Sequence, residues 1–98
     1  MSYRKGSDWS DKNELLCLWA MKRLEEQSFA RGLQIKLCRE LAPVTGVSVG
    51  SLNAKIGNYK SVAGFTGPSN ASTATKKFFE KYGHLSSEEL HKLIDQQR

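Results

Sequence analysis

A turn followed by a short amphipathic helix is the strongest pattern in the chain, and it occupies residues 46–61, GVSVGSLNAKIGNYKS. Ser48 suits the N-cap, because its hydroxyl can accept a hydrogen bond from a backbone N–H that a new helix leaves unpaired, and Gly46 suits the tight turn before it. At the helical period, one face carries Val49, Leu52, Ile56 and Tyr59. The other faces carry Ser51, Asn53, Lys55, Asn58 and Lys60. The fold must therefore bury one side of this helix and leave the other side available for contact.

The polar side of this helix has the composition of a recognition helix. Serine, asparagine and lysine donate hydrogen bonds to phosphates, and asparagine also reads adenine through two hydrogen bonds. An amphipathic helix with a merely solvated polar face has the same pattern, so this stretch alone leaves both interpretations open. In either case Lys55 is expected outside the core, and its replacement by alanine should leave the fold intact.

Two further helices are predicted before this one. The first begins after Ser10 or Asp11 and runs to about Gln27. Its apolar side carries Leu15, Leu16, Cys17, Leu18, Trp19 and Leu24. The second is marked by Ile35, Leu37, Cys38 and Leu41. It must end before Pro43, because proline disfavours the helical conformation of the preceding residue and lacks the N–H that a continuing helix would use. Residues 43–46, PVTG, then form a turn of helix-turn-helix spacing, of about four to six residues, braced by the first helix.

A loop and two more helices are predicted for the remainder of the chain. Residues 62–72, VAGFTGPSNAS, are too rich in turn formers for regular structure, and Val62 and Phe65 are expected to pin them to the core. A fourth helix is capped by Ser72 or Thr73, and a fifth fades in the polar C-terminal tail. Strand signals are weak throughout, so the predicted fold class is all-α: a small domain of four to five helices containing a helix-turn-helix-like unit.

The chain has the length of one domain. Its 98 residues can bury a modest core without a metal or disulfides. Residues 1–8 are polar and charged and are expected to form a flexible N-terminal arm, and residues 9–98 a single helical domain.

Positive charge is concentrated in the middle of the sequence. Residues 1–47 carry eight basic and six acidic groups, residues 48–82 carry five and one, and residues 83–98 carry two and three. Most of the net charge of +5 therefore lies on the central segment and the helix after it, where a phosphate backbone would be met.

The sequence carries no sign of secretion or of membrane insertion. Cys17 and Cys38 lie among apolar residues and outside any CxxC pair, so they are interpreted as buried thiols in a reducing compartment, although two cysteines alone do not exclude a bridge. No apolar run approaches the roughly 20 residues of a membrane span, and the N-terminus lacks a signal-peptide core. We therefore expect a soluble, cytoplasmic protein without a membrane partner.

The sequence also lacks the residue combinations that catalysis or metal binding requires. His84 and His91 lie two helical turns apart at best and lack a cysteine or carboxylate companion at ligand spacing, which disfavours a metal site. No Walker lysine follows the glycines of GFTGPSN, and no set of serine, histidine and acid can be assembled. We therefore expect no enzyme activity, no catalytic residue and no cofactor.

Two blocks of the sequence resemble the helical domain that precedes the nuclease module of many bacterial HNH endonucleases. The block G-x-[ST]-x-x-S-V-x-x-K-L-x-N-[FY] is met without a gap by Gly46, Ser48, Ser51, Leu52, Lys55, Ile56, Asn58 and Tyr59. The block G-x-x-G-x-x-N-A-S is met by Gly64, Gly67, Asn70, Ala71 and Ser72. The opening of the first helix, with Trp9, Ser10 and Glu14, is similar as well, so the likeness covers about residues 9–80.

The resemblance implies a DNA-binding module of bacterial or phage origin. The family often has a basic residue and a proline beside the helix start, where this chain has Val47 and Val49, so any contact from that basic residue is lost. Nothing here resembles the HNH nuclease, which needs clustered histidines and an asparagine or aspartate to hold a metal and activate water. The resemblance therefore implies a stand-alone module, with a separate nuclease or another protein as a further partner.

Together, the residues and the resemblance predict binding to duplex DNA. Helix 48–61 would enter a major groove, and loop 62–72 and the helix after it would grip the backbone. The predicted contacts are Ser48, Ser51, Asn53, Lys55, Asn58, Lys60, Ser69, Asn70, Lys76 and Lys77. The alternative is a protein-interaction or inhibitory accessory module, derived from a phage or mobile element, that uses the same face. Single-strand binding is disfavoured, because the aromatic residues fall in core rows and not on an exposed platform.

Overall fold

Five α-helices and no strand make up the described part of the chain. The computed structural model describes residues 9–68 and 71–96. The helices are α1 (Asp11–Glu26), α2 (Leu33–Thr45), α3 (Val49–Val62), α4 (Thr73–Tyr82) and α5 (Ser87–Asp95). The all-α prediction is confirmed. The predicted arm, residues 1–8, lies outside the described residues, as do Ser69 and Asn70.

Serine side chains cap four of the five helices described. Ser10, Ser48, Ser72 and Ser86 each accept a hydrogen bond from the backbone N–H three residues later. At α5 the carboxylate of Glu89 also accepts from the N–H of Ser86 over 3.1 Å, which completes a capping box. Each cap satisfies a backbone donor that the helix itself leaves unpaired and stabilises the fold by about 1 kcal/mol.

The first helix, α1, lies at the centre of the fold and packs against each of the other four helices. Its buried side chains are Asn13, Glu14, Leu15, Leu16, Cys17, Leu18, Ala20, Met21 and Leu24. Around it α2 packs on α3, and α3 packs on α4. Cys17 and Cys38 are buried free thiols, as predicted, and burial raises the pKa of both.

The second helix, α2, continues through Pro43, so the prediction that it ends before this residue is wrong. Pro43 is exposed, as is Arg39 one turn earlier, so the Arg39 carbonyl that loses its helical N–H partner can be satisfied by water. Other groups hold the turn after the proline. Asn13 of α1 donates from Nδ2 to the carbonyl of Thr45 over 3.1 Å, and the Thr45 hydroxyl donates to the carbonyl of Leu41 over 2.9 Å.

A three-residue turn, residues 46–48, joins α2 to α3, and it is shorter than predicted. Gly46 has a φ of 75°, a left-handed conformation that glycine adopts without a steric cost, and its N–H donates to the carbonyl of Ala42 over 3.0 Å. Val47 is buried at 3% exposure and anchors the turn in the core. The order of helix, short turn and helix in α2 and α3 is therefore as predicted.

The end of α1 is tied to the start of α5. Ser87 donates to the carboxylate of Glu26 from its N–H over 2.9 Å and from its hydroxyl over 2.6 Å. The hydroxyl bond, followed by the backbone bond, holds the pKa of Glu26 below its usual value against the opposing effect of burial. No helix in the described ranges combines the length and the apolar character that a membrane crossing requires.

Candidate nucleic-acid interface

The four residues expected on the buried side of α3 all pack towards the core, three of them fully buried. Leu52, Ile56 and Tyr59 have no exposed surface, and Val49 is half-buried against the same core. These side chains recur every three or four residues, so they fix which side of α3 faces α1 and which side faces solvent.

The outward side of α3 is a ridge of small residues. It carries Gly50, Ala54, Gly57 and Ser61. A Cβ built on either glycine would meet no atom within 4 Å, so packing within the chain does not require glycine at these positions. Glycine inside a helix is less stable than alanine by about 0.5–1 kcal/mol. The ridge is therefore uncrowded, and a partner can approach the backbone of α3 closely.

Lys55 does not lie on the exposed side of α3, which corrects its place among the predicted contacts. Its side chain is 10% exposed, and its Nζ donates to Oε1 of Glu14 over 2.9 Å and to Oγ1 of Thr75 over 3.0 Å. The Nζ also lies 4.4 Å from the centre of a Trp9 ring. Lys55 is one turn before Tyr59 at the border of the buried side, and a carboxylate buried without a cation would be strongly destabilising. Lys55 therefore presents no ammonium group to a ligand.

Glu14 is the centre of this buried network. It is 1% exposed, and its Oε2 accepts from the hydroxyl of Tyr59 over 2.5 Å while its Oε1 accepts from Lys55. Thr75 joins the network from α4 and lies 3.1 Å from the hydroxyl of Ser72, the N-cap of that helix. The network thus connects α1, α3 and the start of α4, and it fixes how α3 is held against its neighbours.

The sequence indicates that Glu14 is buried, but it does not identify the residues that bond to it. Glu14 lies four residues before Leu18 and seven before Met21, on the buried stripe of α1. A carboxylate on such a stripe indicates a buried charge that needs a cation or several donors. The partner could not be identified from sequence, because 41 positions separate Glu14 from Lys55.

Asn53 and Lys60 lie on the side of α3 that faces α2. Gln34 of α2 donates from Nε2 to Oδ1 of Asn53 over 2.8 Å, and Nζ of Lys60 donates to Oε1 of Gln34 over 3.1 Å. Lys60 has three N–H donors and Asn53 has an amide NH₂ group, so both keep donors beyond these bonds. The two predicted contacts are therefore held in place at the edge between α2 and α3 and can still bind a partner.

Ser51 and Asn58 lie on the opposite flank of the ridge, seven residues and two turns apart. Ser51 is exposed and Asn58 is half-exposed. The hydroxyl of Ser48 accepts from the N–H of Ser51 over 3.2 Å and lies 3.0 Å from its Oγ, so Ser48 acts in the fold as the cap of α3. Ser51 and Asn58 are thus the motif positions on α3 whose side chains point towards solvent.

Lys76 and Lys77 lie on the exposed side of α4, as predicted. Within residues 9–68 and 71–96, no carboxylate lies within 4 Å of either amino group. Other cations do have carboxylate partners at i+3 or i−4, namely Lys22 with Glu25, Arg23 with Glu26 and Lys92 with Glu88. The two lysines of α4 are therefore available to an external anion.

Charge is distributed unevenly among the helices. Residues 30–82, which include α2, α3 and α4, carry eight basic and two acidic groups. The helix α1 carries three basic and four acidic groups, and α5 carries one and three. Even with Lys55 neutralised by Glu14, the positive charge lies on α2, α3, α4 and their connections.

Phe65 is on the surface, so the expectation that it pins the loop to the core is wrong. Its side chain is 45% exposed, and its ring lies edge-on to Phe29 with the ring centres 4.9 Å apart. Val62, also expected in the loop, is the last residue of α3. Gly64, with a φ of 89°, reverses the chain, and the N–H of Phe65 donates to the carbonyl of Lys60 over 2.9 Å. This helix ending turns Phe65 back along the outside of the molecule.

His84 and His91 are both exposed. No group of three histidine, cysteine, aspartate or glutamate side chains in the described ranges is arranged to hold a metal ion. Neither a protein-family model, nor a curated protein, nor a solved structure matches this chain.

Proposed function

We propose that this chain is a DNA-binding module of helix-turn-helix type that places the exposed side of α3 in the major groove of duplex DNA. One observation carries the proposal: the uncrowded ridge of α3 lies within residues 30–82, which carry eight basic groups and only two acidic ones. A major groove admits one α-helix, and its phosphates attract positive charge.

The ridge is suited to close approach, and its flanks are suited to recognition. Because Gly50 and Gly57 carry no side chain, the backbone of α3 can come nearer to base edges than a helix with longer residues. Asn58 offers an amide that can pair with adenine through two hydrogen bonds, and Ser51 offers a hydroxyl. On the other flank Asn53 keeps its free amide donors.

Phosphate contacts come from basic side chains on both sides of α3. Lys76 and Lys77 extend from α4, Arg31 lies just before α2, and Arg39 lies on the exposed side of α2. Such contacts position a protein on the duplex without reading sequence. In the proposed module α3 therefore contacts the bases, and the basic residues of α4 and of the α2 region contact the DNA backbone.

The resemblance to the helical domain of HNH endonucleases supports this proposal, and the fold accounts for much of the shared motif. Gly46 turns the chain, Ser48 caps α3, and Lys55 bonds to Glu14, which belongs to the similar opening of the first helix. The hydroxyl of Ser51 bonds to that of Ser48 in the cap, and the side chains of Ser51 and Asn58 both remain accessible to solvent. We propose that the chain is a stand-alone, non-enzymatic module, of bacterial or phage origin, that works in the cytoplasm with or without a separate nuclease partner.

Fluorescence anisotropy with a labelled duplex at about 50 mM and about 200 mM salt tests the proposal. Log affinity should fall linearly with log salt, and Lys76→Ala and Lys77→Ala should each weaken binding and reduce the slope by about 0.9. The matched control is Lys92→Ala on α5, whose amino group lies 3.9 Å from Glu88. Equal losses in all three variants, or no binding at the lower salt, would refute the proposal.

A protein-interaction or inhibitory accessory module is the second candidate, because the ridge of α3 itself carries no charged side chain. Such a module would use the same face against a protein surface, including a nuclease. Gly57→Gln, which places a long side chain on the ridge, should impair either function. The two candidates differ in salt: affinity for a protein through an uncharged ridge should change little between the two salt concentrations.

A further inference from the structure

A hollow of about 470 Å³ lies between the start of α2 and the flank of α3. Its polar wall consists of Arg31, Gln34, Asn53 and Lys60, and its apolar wall includes Phe29 and Ile35. A volume of this size lies within the range of about 300–1,000 Å³ that is usual for sites of small ligands. Two predicted DNA contacts, Asn53 and Lys60, therefore belong to a concave site and not to the ridge alone.

The lining of this hollow contains two cations and no carboxylate. Three other hollows in the described part of the molecule each contain at least one acidic side chain: Glu40 and Glu88, Asp95, or Glu25 with Glu26 and Glu89. A concave site with one sign of charge concentrates ligands of the opposite sign. The hollow between α2 and α3 is therefore suited to an anion.

Hydrogen-bond donors outnumber free acceptors in the hollow. Gln34 links its neighbours, accepting from Lys60 over 3.1 Å and donating to Asn53 over 2.8 Å. The bond fixes the ammonium of Lys60 and leaves two of its three donors for a ligand. Arg31 adds a guanidinium with five donors, and in the described ranges no carboxylate lies within 4 Å of it. Such donors match phosphate oxygens.

An aromatic pair, of which Phe65 is exposed and Phe29 is half-buried, borders the same hollow. Phe29 lines it, and Phe65, 45% exposed, meets Phe29 edge-on with 4.9 Å between ring centres. In this edge-on arrangement Phe65 keeps ring surface exposed to solvent. An exposed aromatic ring beside cations is the arrangement on which unpaired nucleobases stack. The expectation that all aromatic residues fall in core rows is therefore wrong for Phe65.

We propose that this hollow binds an unpaired nucleotide, with its phosphate at Arg31 and Lys60 and its base against Phe65. A phosphate ion alone would leave the aromatic ring unused, and an apolar acid would leave the amide donors of Asn53 unused. A nucleotide satisfies all of these groups. The inference rests on the proposed function and extends it: a duplex held by α3 would be bound more tightly when it carries an unpaired end.

The test compares a blunt duplex with the same duplex carrying a single-stranded overhang of about four thymidines, since single-strand sites of this type begin at about that length. The wild-type protein should bind the overhang duplex about fivefold to a hundredfold more tightly. Phe65→Ala should remove this preference and leave the affinity for the blunt duplex unchanged within about twofold. Arg31→Gln removes a cation that also meets the duplex backbone, so it should weaken the binding of both duplexes, and that of the overhang duplex more. Phe65→Tyr, which retains the ring, should keep the preference. Val44→Ala, at a residue that is 60% exposed near the other end of α2, is the control.

Thymidine monophosphate distinguishes a free nucleotide from a nucleotide within a strand. If it competes with the overhang and not with the blunt duplex, the hollow recognises the nucleotide unit itself, whereas a lack of competition together with a preference for the overhang assigns the site to strands. Equal affinity of the wild type for both duplexes, or a preference that survives Phe65→Ala, overturns the inference while the proposed function stands. If a thymidine oligomer binds and the blunt duplex does not, the proposed function fails while the nucleotide site stands. If neither DNA binds, both proposals fail.

Discussion

The ammonium group of Lys55 lies 2.9 Å from Oε1 of Glu14, a residue 41 positions earlier in the chain. The bond joins α3 to α1 inside the molecule, where Glu14 is 1% exposed. Removing one member of a buried pair leaves the other charged without compensation, which is far more damaging than removing both. The pair therefore makes the position of α3 depend on a residue of α1 that is distant in the sequence.

Lys55→Ala should destabilise the fold by about 3–5 kcal/mol, because the charge of Glu14 loses its cation. Urea unfolding followed by circular dichroism measures the change, with the slope expected to stay constant. Lys76→Ala, at an exposed lysine of α4, is the matched control and should change stability by no more than about 0.5 kcal/mol.

The double variant Glu14→Gln with Lys55→Met tests the cause of that loss. With both charges removed, most of the stability should return, although Tyr59 and Thr75 then bond to an amide. If the double variant is as unstable as Lys55→Ala, the packing of the lysine stem and not the unpaired carboxylate explains the effect.

Tyr59→Phe should destabilise the fold by about 1.5–3 kcal/mol, which is the usual range for a hydrogen bond to a charged group. Its hydroxyl donates to Oε2 of Glu14 over 2.5 Å, and the ring itself is fully buried and would remain. Thermal unfolding provides the measurement. Tyr82→Phe is the comparison, because that ring is half-buried and stacks on Phe78, and it should lose less.

Gly57→Ala should stabilise the fold by about 0.5–1 kcal/mol, because the added methyl group meets no atom within 4 Å and alanine favours the helix. The same change on Gly46, which has a φ of 75°, should destabilise it by about 1–2 kcal/mol. Denaturant midpoints of the two variants should therefore shift in opposite directions. A loss of stability in Gly57→Ala would show that the ridge of α3 is more crowded than its contacts indicate.

The stability contributed by Glu26 should depend on pH. Its pKa in the folded protein lies below the ordinary value of 4.5, because the hydroxyl and N–H of Ser87 bond to the ionised carboxylate. This contribution is fully present above the ordinary value and is lost as the pH falls through the lower, folded value. The difference in unfolding free energy between the wild type and Glu26→Gln should thus be largest at neutral pH and shrink below about pH 4.5.

A suitable control for this titration is Glu25→Gln, on the neighbouring position. The carboxylate of Glu25 lies 3.6 Å from Nζ of Lys22 and is 42% exposed, so its loss should matter little at any pH. A constant difference between the wild type and Glu26→Gln across the pH range would mean that the bonds to Ser87 do not depend on the charge of Glu26.

Local patterns predicted the helices well, because their causes lie within a few residues. Ser48, Ser72 and Ser86 cap helices by bonding to a backbone N–H three residues later, and the apolar period places Leu52 and Ile56 in the core. Such features need no knowledge of the rest of the fold. The five helices therefore follow from the sequence to within a few residues at their ends.

The sequence-based predictions are wrong where a residue distant in the sequence determines the local structure. The turn after Pro43 stays helical with the support of Asn13 from α1, and Lys55 is buried because Glu14 is buried opposite it. Phe65 stays outside, where its ring meets that of Phe29. In each case the deciding contact joins residues more than 30 positions apart, which periodicity cannot reveal.

The central position of α1 has a consequence for the order in which the chain acquires its structure. This helix is synthesised before the other four described helices, yet α5 packs chiefly on it, and Leu90 and Ile94 complete the core from the last helix described. Until that helix has been synthesised, part of the apolar surface of α1 remains uncovered. A nascent chain that stops before Ser87 would expose this surface to chaperones, so the core of the domain can close only after α5 has been synthesised.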